Sequence, residues 1–200
     1  MTSPLIPALI LASSSRYRQD LLQRLGLPFR VVPPEIDETP RPGEPPAETA
    51  IRLAEAKTRA VAPKHPEALI IGSDQVAEFH GKPVGKPHDR AHALKLLQAM
   101  RGHTVIFHTA VALLNARTGV CRSALVDVVS TFRHLDAAAL EAYLEREMPF
   151  DCAGSVKSEG LGIALFTRVA SDDPTALIGL PLIRLIDLLA AEGVQPLPRN

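Results

Sequence analysis

Short apolar runs alternate along this chain with longer stretches of helical period, and an alternation of that kind implies an α/β fold. The most informative run is Leu69-Ile70-Ile71, closed by Gly72-Ser73 and followed by Asp74. It reads as a short buried strand with a glycine at its exit. In α/β sheets ligands bind at the carboxyl ends of strands, so Asp74 is placed to point into a cleft. A carboxylate there can hold a divalent metal or take a proton from water. An aspartate in a turn fits the same stretch, so the decision falls to the rest of the chain.

Residues 8–12 read as a first buried strand, followed by Ser13-Ser14-Ser15, one of which caps a helix over 16–25 that Gly26 closes. A second short strand covers 29–32, and the proline-rich residues 40–46 read as a mobile surface loop. A longer helix spans 47–62. After the Asp74 strand, a hairpin turn at His80-Gly81 leads into a loop carrying Lys82, Gly85 and Lys86. Asp89 and Asp136 cap helices ending near Gly102 and Glu147, with strands over 104–114 and 125–133 between them. A glycine-rich loop over 154–162, a strand ending near Phe166 and a helix over 181–191 complete the pattern. A length of 200 residues suits one domain, or two small lobes sharing a sheet.

Lysines plus arginines number 22 and so do aspartates plus glutamates, a balance that argues against broad nucleic-acid or membrane binding. Cys121 and Cys152 lack metal-site spacing and fit free thiols in a reducing compartment. The apolar start, residues 4–12, lacks the basic leading region of a signal peptide and is interrupted by Pro7. No later segment approaches the ~20 apolar residues that span a bilayer. The expected location is the cytoplasm.

Several residues break local rules. Arg16 and Arg18 fall in the first turn of a helix, where the dipole disfavours cations. A phosphate held by free backbone N–H groups, the serine hydroxyls and an arginine would resolve the conflict; snorkelling into solvent is the alternative, more so for Arg16. On the 47–62 helix, Glu48, Arg52, Glu55 and Arg59 form a polar stripe, while Lys57 falls on the opposite arc with Ala50, Leu53, Ala54 and Val61. A lysine on a buried face must reach a carboxylate or a bound phosphate. Glu35, Asp37 and Glu38 form a small acidic cluster, and Gly85 allows close backbone approach beside Lys86. Together they make a set, acid for metal and base for phosphate, which suits phosphoryl or nucleotidyl chemistry. His88 and His92 fit a solvated face, and Asp172-Asp173 before Pro174 reads as a turn.

Read in order, these residues resemble the Maf family of nucleoside triphosphate pyrophosphatases. The likeness runs through residues 9–13 with Ser15 and Arg18, Asp37-Glu38-Thr39-Pro40, Leu53-Ala54-Glu55-Ala56-Lys57 and Gly72-Ser73-Asp74-Gln75-Val76. It continues through Gly85-Lys86-Pro87, the stretch 154–160 and Gly179-Leu180-Pro181-Leu182, which covers nearly the whole chain. The resemblance implies a two-lobed Maf/Ham1-like (ITPase-like) α/β fold with a central mixed sheet and an interlobe active-site cleft. It further implies divalent-metal-dependent cleavage, with magnesium or manganese, of a nucleoside triphosphate to monophosphate and pyrophosphate, by a homodimer. Asp74 matches the family's catalytic acid, and Ser13, Arg18, Lys57 and Lys86 match polar positions around the triphosphate. Glu38 matches a metal-associated acid beside Asp74, and Asp37 matches it less well.

Three departures from the commoner family pattern bear on the substrate. Tyr17 stands where many members have arginine, Gln75 where many have threonine, and Glu159 where many have glutamine. The trio resembles the subgroup acting on 7-methyl-GTP. Methylation at N7 makes the guanine ring cationic, which an aromatic face attracts and an arginine repels. A carboxylate can accept from the guanine N1 and N2 edge, and Gln75 could contact the carbonyl oxygen or bridge to the phosphates. The alternatives are a dTTP or UTP pyrophosphatase of the same family, and a nucleotide-binding regulator of septum formation without turnover. Neutral net charge weighs against a nucleic-acid partner.

Overall fold

The computed structural model describes residues 7–197, so the part of the apolar start that precedes Pro7 lies outside the described residues. A seven-stranded mixed sheet forms the centre. Its strands are β1 (Leu9–Ala12), β2 (Phe29–Val31), β3 (Leu69–Phe79), β4 (Lys82–Val84), β5 (Thr104–Asn115), β6 (Val120–Phe132) and β7 (Phe166–Ala170). They run in the order β2-β1-β3-β5-β6-β7, with β4 paired to β3. The helices are α1 (Arg16–Gln23), α2 (Pro46–Val61), α3 (Arg90–Met100), α4 (Ala137–Glu147) and α5 (Leu182–Ala191). No described helix is long and apolar enough to cross a membrane.

The helix signals act as read. Ser15 caps α1 and accepts from Arg18 N, Asp89 caps α3 and accepts from His92 N, and Asp136 caps α4 and accepts from Ala139 N. The β3–β4 hairpin turns at His80 and Gly81, whose φ values of 52° and 74° give the doubly left-handed turn that matches strand twist.

Three expectations about the strands change. The Asp74 strand does not stop at the glycine: β3 continues to Phe79, so Asp74 lies inside a strand and not in a turn beyond one. The polar stretch is carried by its ladder to β5, which pairs with β3 from Leu69 through Glu78. Lys82 belongs to β4 and not to a loop, and the last strand begins at Phe166, where it was expected to end.

Two of the hydrophobic clusters are strung along the same long strands. One packs α1 and α5 on β1, β3 and β5 through Leu11, Leu21, Leu22, Ile71, Val111, Leu185 and Leu189. The other packs α3 and α4 at the opposite end through Ala77, Leu97, Met100, Phe107, Val128, Leu140 and Leu144. Between them on β3 lie Ser73 to Val76, in neither cluster.

β1 pairs in parallel with β2 on one side and β3 on the other, so the chain reverses its direction of travel at the β1/β3 junction. Connections between parallel strands are right-handed, which sends α1 and α2 to opposite faces. The crevice at such a switch point is where α/β sheets take ligands. On the edge of β3 away from β5, β1 pairs only as far as Gly72 and β4 begins only at Ala77. A notch four residues long, 73–76, is left in the sheet.

Candidate active site

Asp74 sits in this notch. Side chains alternate across a strand, so Gly72 and Asp74 face α2 while Ser73 and Gln75 face the other side. Helix α2 lies unusually close to the sheet there, on a seam of Ala50, Ala54, Ala110 and Ala112. A Cβ at residue 72 would come within 2.2 Å of the Ala54 carbonyl oxygen, so only glycine allows the approach. One turn further along α2, Lys57 reaches the notch. It is 4 % exposed, its Nζ 2.6 Å from Asp74 Oδ1 and 2.8 Å from Glu38 Oε1. Asp74 is 7 % exposed. Taking an ammonium and a carboxylate out of water costs several kcal/mol each, which makes this pair a poor device for stability and a good marker of a site.

Glu38 approaches from the β2–α2 connection and is half exposed. Partial burial pushes its carboxyl up, but the hydrogen bond and charge of Lys57, with the charges of Lys86 and Arg18, outweigh that and hold it below its ordinary value. Lys86, on the exposed loop after β4, thus joins the set through its charge. Asp37 does not: its Oδ1 accepts from Thr39 N at 2.9 Å in a local turn. The connection, expected to be a mobile loop, carries a set of side-chain hydrogen bonds. Glu44 takes Arg52 in a two-pronged pair at 2.5 and 2.7 Å and accepts from Arg41 N and Thr49 Oγ1, while Arg52 also reaches Thr39 O.

Arg18 enters from the opposite face. Its Nε donates to the Gly179 carbonyl at 2.8 Å. Burial lowers its pKa from the ordinary arginine value, while the carboxylates of Asp74 and Glu38 pull it back up. Arginine stays charged under such shifts, so a cation faces both acids across the notch. Ser13, 3 % exposed at the end of β1, accepts from Ser15 N through its Oγ at 3.1 Å. The backbone N–H groups of Arg16 and Tyr17, first in α1, have no intrahelical acceptor, and no acidic side chain occupies that turn. Arg16 itself is exposed.

Gln75 does not join these groups. Its amide nitrogen donates to Thr109 Oγ1, Ala176 O and Leu177 O at 2.9, 3.0 and 3.1 Å on the far face of the sheet. There it supports the 176–179 turn. Ser73 Oγ bonds the Gly179 carbonyl of the same turn at 2.8 Å, the carbonyl that also receives Arg18. Asp173, expected only as a turn residue, is buried and fastens this segment to α5 by accepting from Thr175 N and Ile183 N.

Tyr17 and Glu159 lie within range of each other's charge. Burial, chiefly, and the charges of Cys152, Asp151 and Glu159 push the Tyr17 hydroxyl up to about 12, against the Lys157 ammonium. Burial likewise raises the Glu159 carboxyl, Lys157 lowers it, and Glu147 raises it. The Cys152 thiol is pushed up to about 12 by burial and by Asp151 and Glu159. Tyr143 and Glu147 are parts of this surround that the sequence did not single out; a tyrosine on the core face of α4 was the available signal, because a buried hydroxyl needs a partner.

Among the described residues no group of three His, Cys, Asp or Glu side chains is arranged to hold a metal. The convergence of Asp74 and Glu38 on one cation nevertheless fits magnesium or manganese, which take one or two carboxylates and complete their shell with water and substrate phosphate oxygens.

The Maf-like protein family matches residues 8–192. A protein of Ralstonia nicotianae named 7-methyl-GTP pyrophosphatase is 60 % identical over 183 residues, 92 % of this chain and 94 % of that one. Proteins of the same name from Cupriavidus metallidurans and Albidiferax ferrireducens are 56 % and 51 % identical, covering 96 % and 98 % of this chain and 97 % and 99 % of theirs. Among solved structures, a HAM1 protein from Coxiella burnetii aligns with 65 % of this chain and 75 % of its own at 18 % identity and a TM-score of 0.44, too remote a likeness to bear on fold or function. With the match spanning almost all of the described residues, the chain belongs to the family of Maf-like proteins.

Proposed function

We propose that this chain hydrolyses 7-methyl-GTP to 7-methyl-GMP and pyrophosphate. The observation that carries the reading is the buried Lys57 ammonium between Asp74 and Glu38, with Arg18 facing them across the notch. Arg18 and Lys57, with Lys86 at the rim, bind the triphosphate and neutralise charge as the bond between the α-phosphorus and its bridging oxygen breaks. Ser13 and the first N–H groups of α1 receive phosphate oxygens. Asp74 takes a proton from the water whose oxygen attacks the α-phosphorus, and pyrophosphate leaves with the electrons of the broken bond. Asp74 and Glu38 would hold a magnesium or manganese ion, which when bound polarises the phosphates and lowers the pKa of its water.

The base is read by Tyr17 and Glu159. The tyrosine ring offers a cation its face, and the carboxylate accepts from the guanine edge while offsetting the ring charge. The names of the relatives support this substrate. The same reading places the protein in the cytoplasm as a homodimer, which sedimentation checks. The deciding assay is pyrophosphate release from 7-methyl-GTP, GTP, dTTP and UTP with magnesium, manganese or EDTA. Metal-dependent turnover with 7-methyl-GTP preferred is expected; preference for dTTP or UTP, or tight binding without turnover, refutes the reading.

A further inference from the structure

The turn that carries Glu159 is held from one side by α4. The buried Tyr143 hydroxyl donates to Ser155 O at 2.9 Å and accepts from Lys157 N at 3.0 Å. One helical turn on, Glu147 accepts from Leu161 N at 2.6 Å through Oε1 and pairs with Lys157 Nζ at 2.9 Å through Oε2. Residue 160 has to be small for this: a Cβ there would lie 2.7 Å from Glu147 Oε1. Lys157 O closes the turn by accepting from Gly160 N and Gly162 N at 3.1 and 3.0 Å. Glu159 is the exposed residue of the segment so fixed.

The charges in this group are unequal. The hydrogen bond to Glu147, followed by the nearby Tyr17, Glu147 and Glu159, raises the Lys157 pKa, so one ammonium stands within reach of two carboxylates. Glu147 already engages it. Without Glu147 the carboxylate left acting on Lys157 is Glu159, and pairing there would cancel the negative charge that a cationic base needs.

We propose that Glu147 is a positioning residue for base selection: it occupies Lys157 and fixes the 157–161 turn, so that the Glu159 carboxylate stays free for a cationic ring beside Tyr17. The inference rests on the substrate reading given above. It assigns α4, which contributes nothing to the phosphate site, a part in choosing the base.

The test compares wild type, E147Q, K157M and E147Q/K157M in steady-state turnover of 7-methyl-GTP and GTP, with thermal melts to confirm folding. Glutamine at 147 still accepts from Leu161 N but no longer neutralises Lys157. The expected result is that E147Q loses on the order of tenfold of its kcat/KM preference for 7-methyl-GTP, through KM and with kcat kept. K157M keeps the preference and the double variant recovers it, which a purely structural role for Glu147 would not produce. Unchanged preference in E147Q, or a double variant as poor as the single one, overturns the proposal. A wild type indifferent to N7 methylation overturns the substrate reading itself, and with it the proposal.

Discussion

Replacing Gly72 by alanine puts one methyl group between α2 and β3 and tests how the site is assembled. The added Cβ would lie 2.2 Å from the Ala54 carbonyl oxygen and 2.8 Å from Thr58 Cγ2. The first contact is about 1.2 Å short of the 3.4 Å at which ordinary van der Waals contact begins, and its far side is helix backbone, which cannot rotate away. Gly72 has no left-handed φ, so alanine brings no backbone strain, and its smaller unfolded-state entropy stabilises by about 0.4–1 kcal/mol. Overpacking against a rigid neighbour costs about 1–3 kcal/mol and wins. The net loss of about 1–2 kcal/mol lowers Tm by roughly 2–8 °C in a protein of this size. Helix α2 has to lift by about 1 Å and takes Lys57 with it, and displacements of that size cost up to about a hundredfold in rate. Differential scanning calorimetry and pyrophosphate release measure the two effects. A G72A variant with wild-type Tm and kcat/KM would show that α2 does not depend on this approach to place Lys57.

Asp74→Asn keeps the shape of the buried carboxylate and removes its charge and basicity; turnover should fall by about 10²–10⁴, the span of general-base contributions, while far-UV circular dichroism stays native. Tyr17→Arg with Glu159→Gln should abolish the preference for 7-methyl-GTP over GTP, by about tenfold or more in kcat/KM, and leave unmodified nucleotides cleaved. Glu44 is held down to about 2 from 4.5, first by its hydrogen bond to Arg52. A depressed carboxyl contributes stability that is present above its unfolded value and lost as pH falls through the folded one. The Tm advantage of wild type over Glu44→Gln should therefore shrink between about pH 4.5 and pH 2, and a constant difference across that window would refute the clasp.

What could be read in the sequence was what broke a local rule. Lys57 on the apolar arc of its helix pointed to a carboxylate, and the structure supplies Asp74 and Glu38. Arg18 stood out in the first turn of α1, although nothing in its neighbourhood foretold a partner at Gly179, far along the chain. The end of the Asp74 strand was misplaced because Gly72-Ser73-Asp74-Gln75 carries no apolar pattern; its extended form comes from the β5 ladder, a contact that sequence periodicity does not report. Gln75 was legible only as a neighbour of Asp74, and alternation along a strand sends neighbours apart. Arg52 looked like one more charge on a solvated stripe, yet it fastens the connection that carries Glu38. Such long-range pairings between polar side chains leave no period behind.

β3 spends consecutive residues on opposite tasks, the acid on one side and the support of the 176–179 turn on the other. A single residue gained or lost between Gly72 and Gln75 would reverse that assignment, sending the carboxylate toward α5 and the serine and glutamine under α2. Changes of length at the His80-Gly81 hairpin or in the turn after Asn115 leave this count intact. The protein can therefore lengthen these two turns while the spacing inside one strand stays fixed, and an insertion scan should find β3 the segment least able to accept even one extra residue.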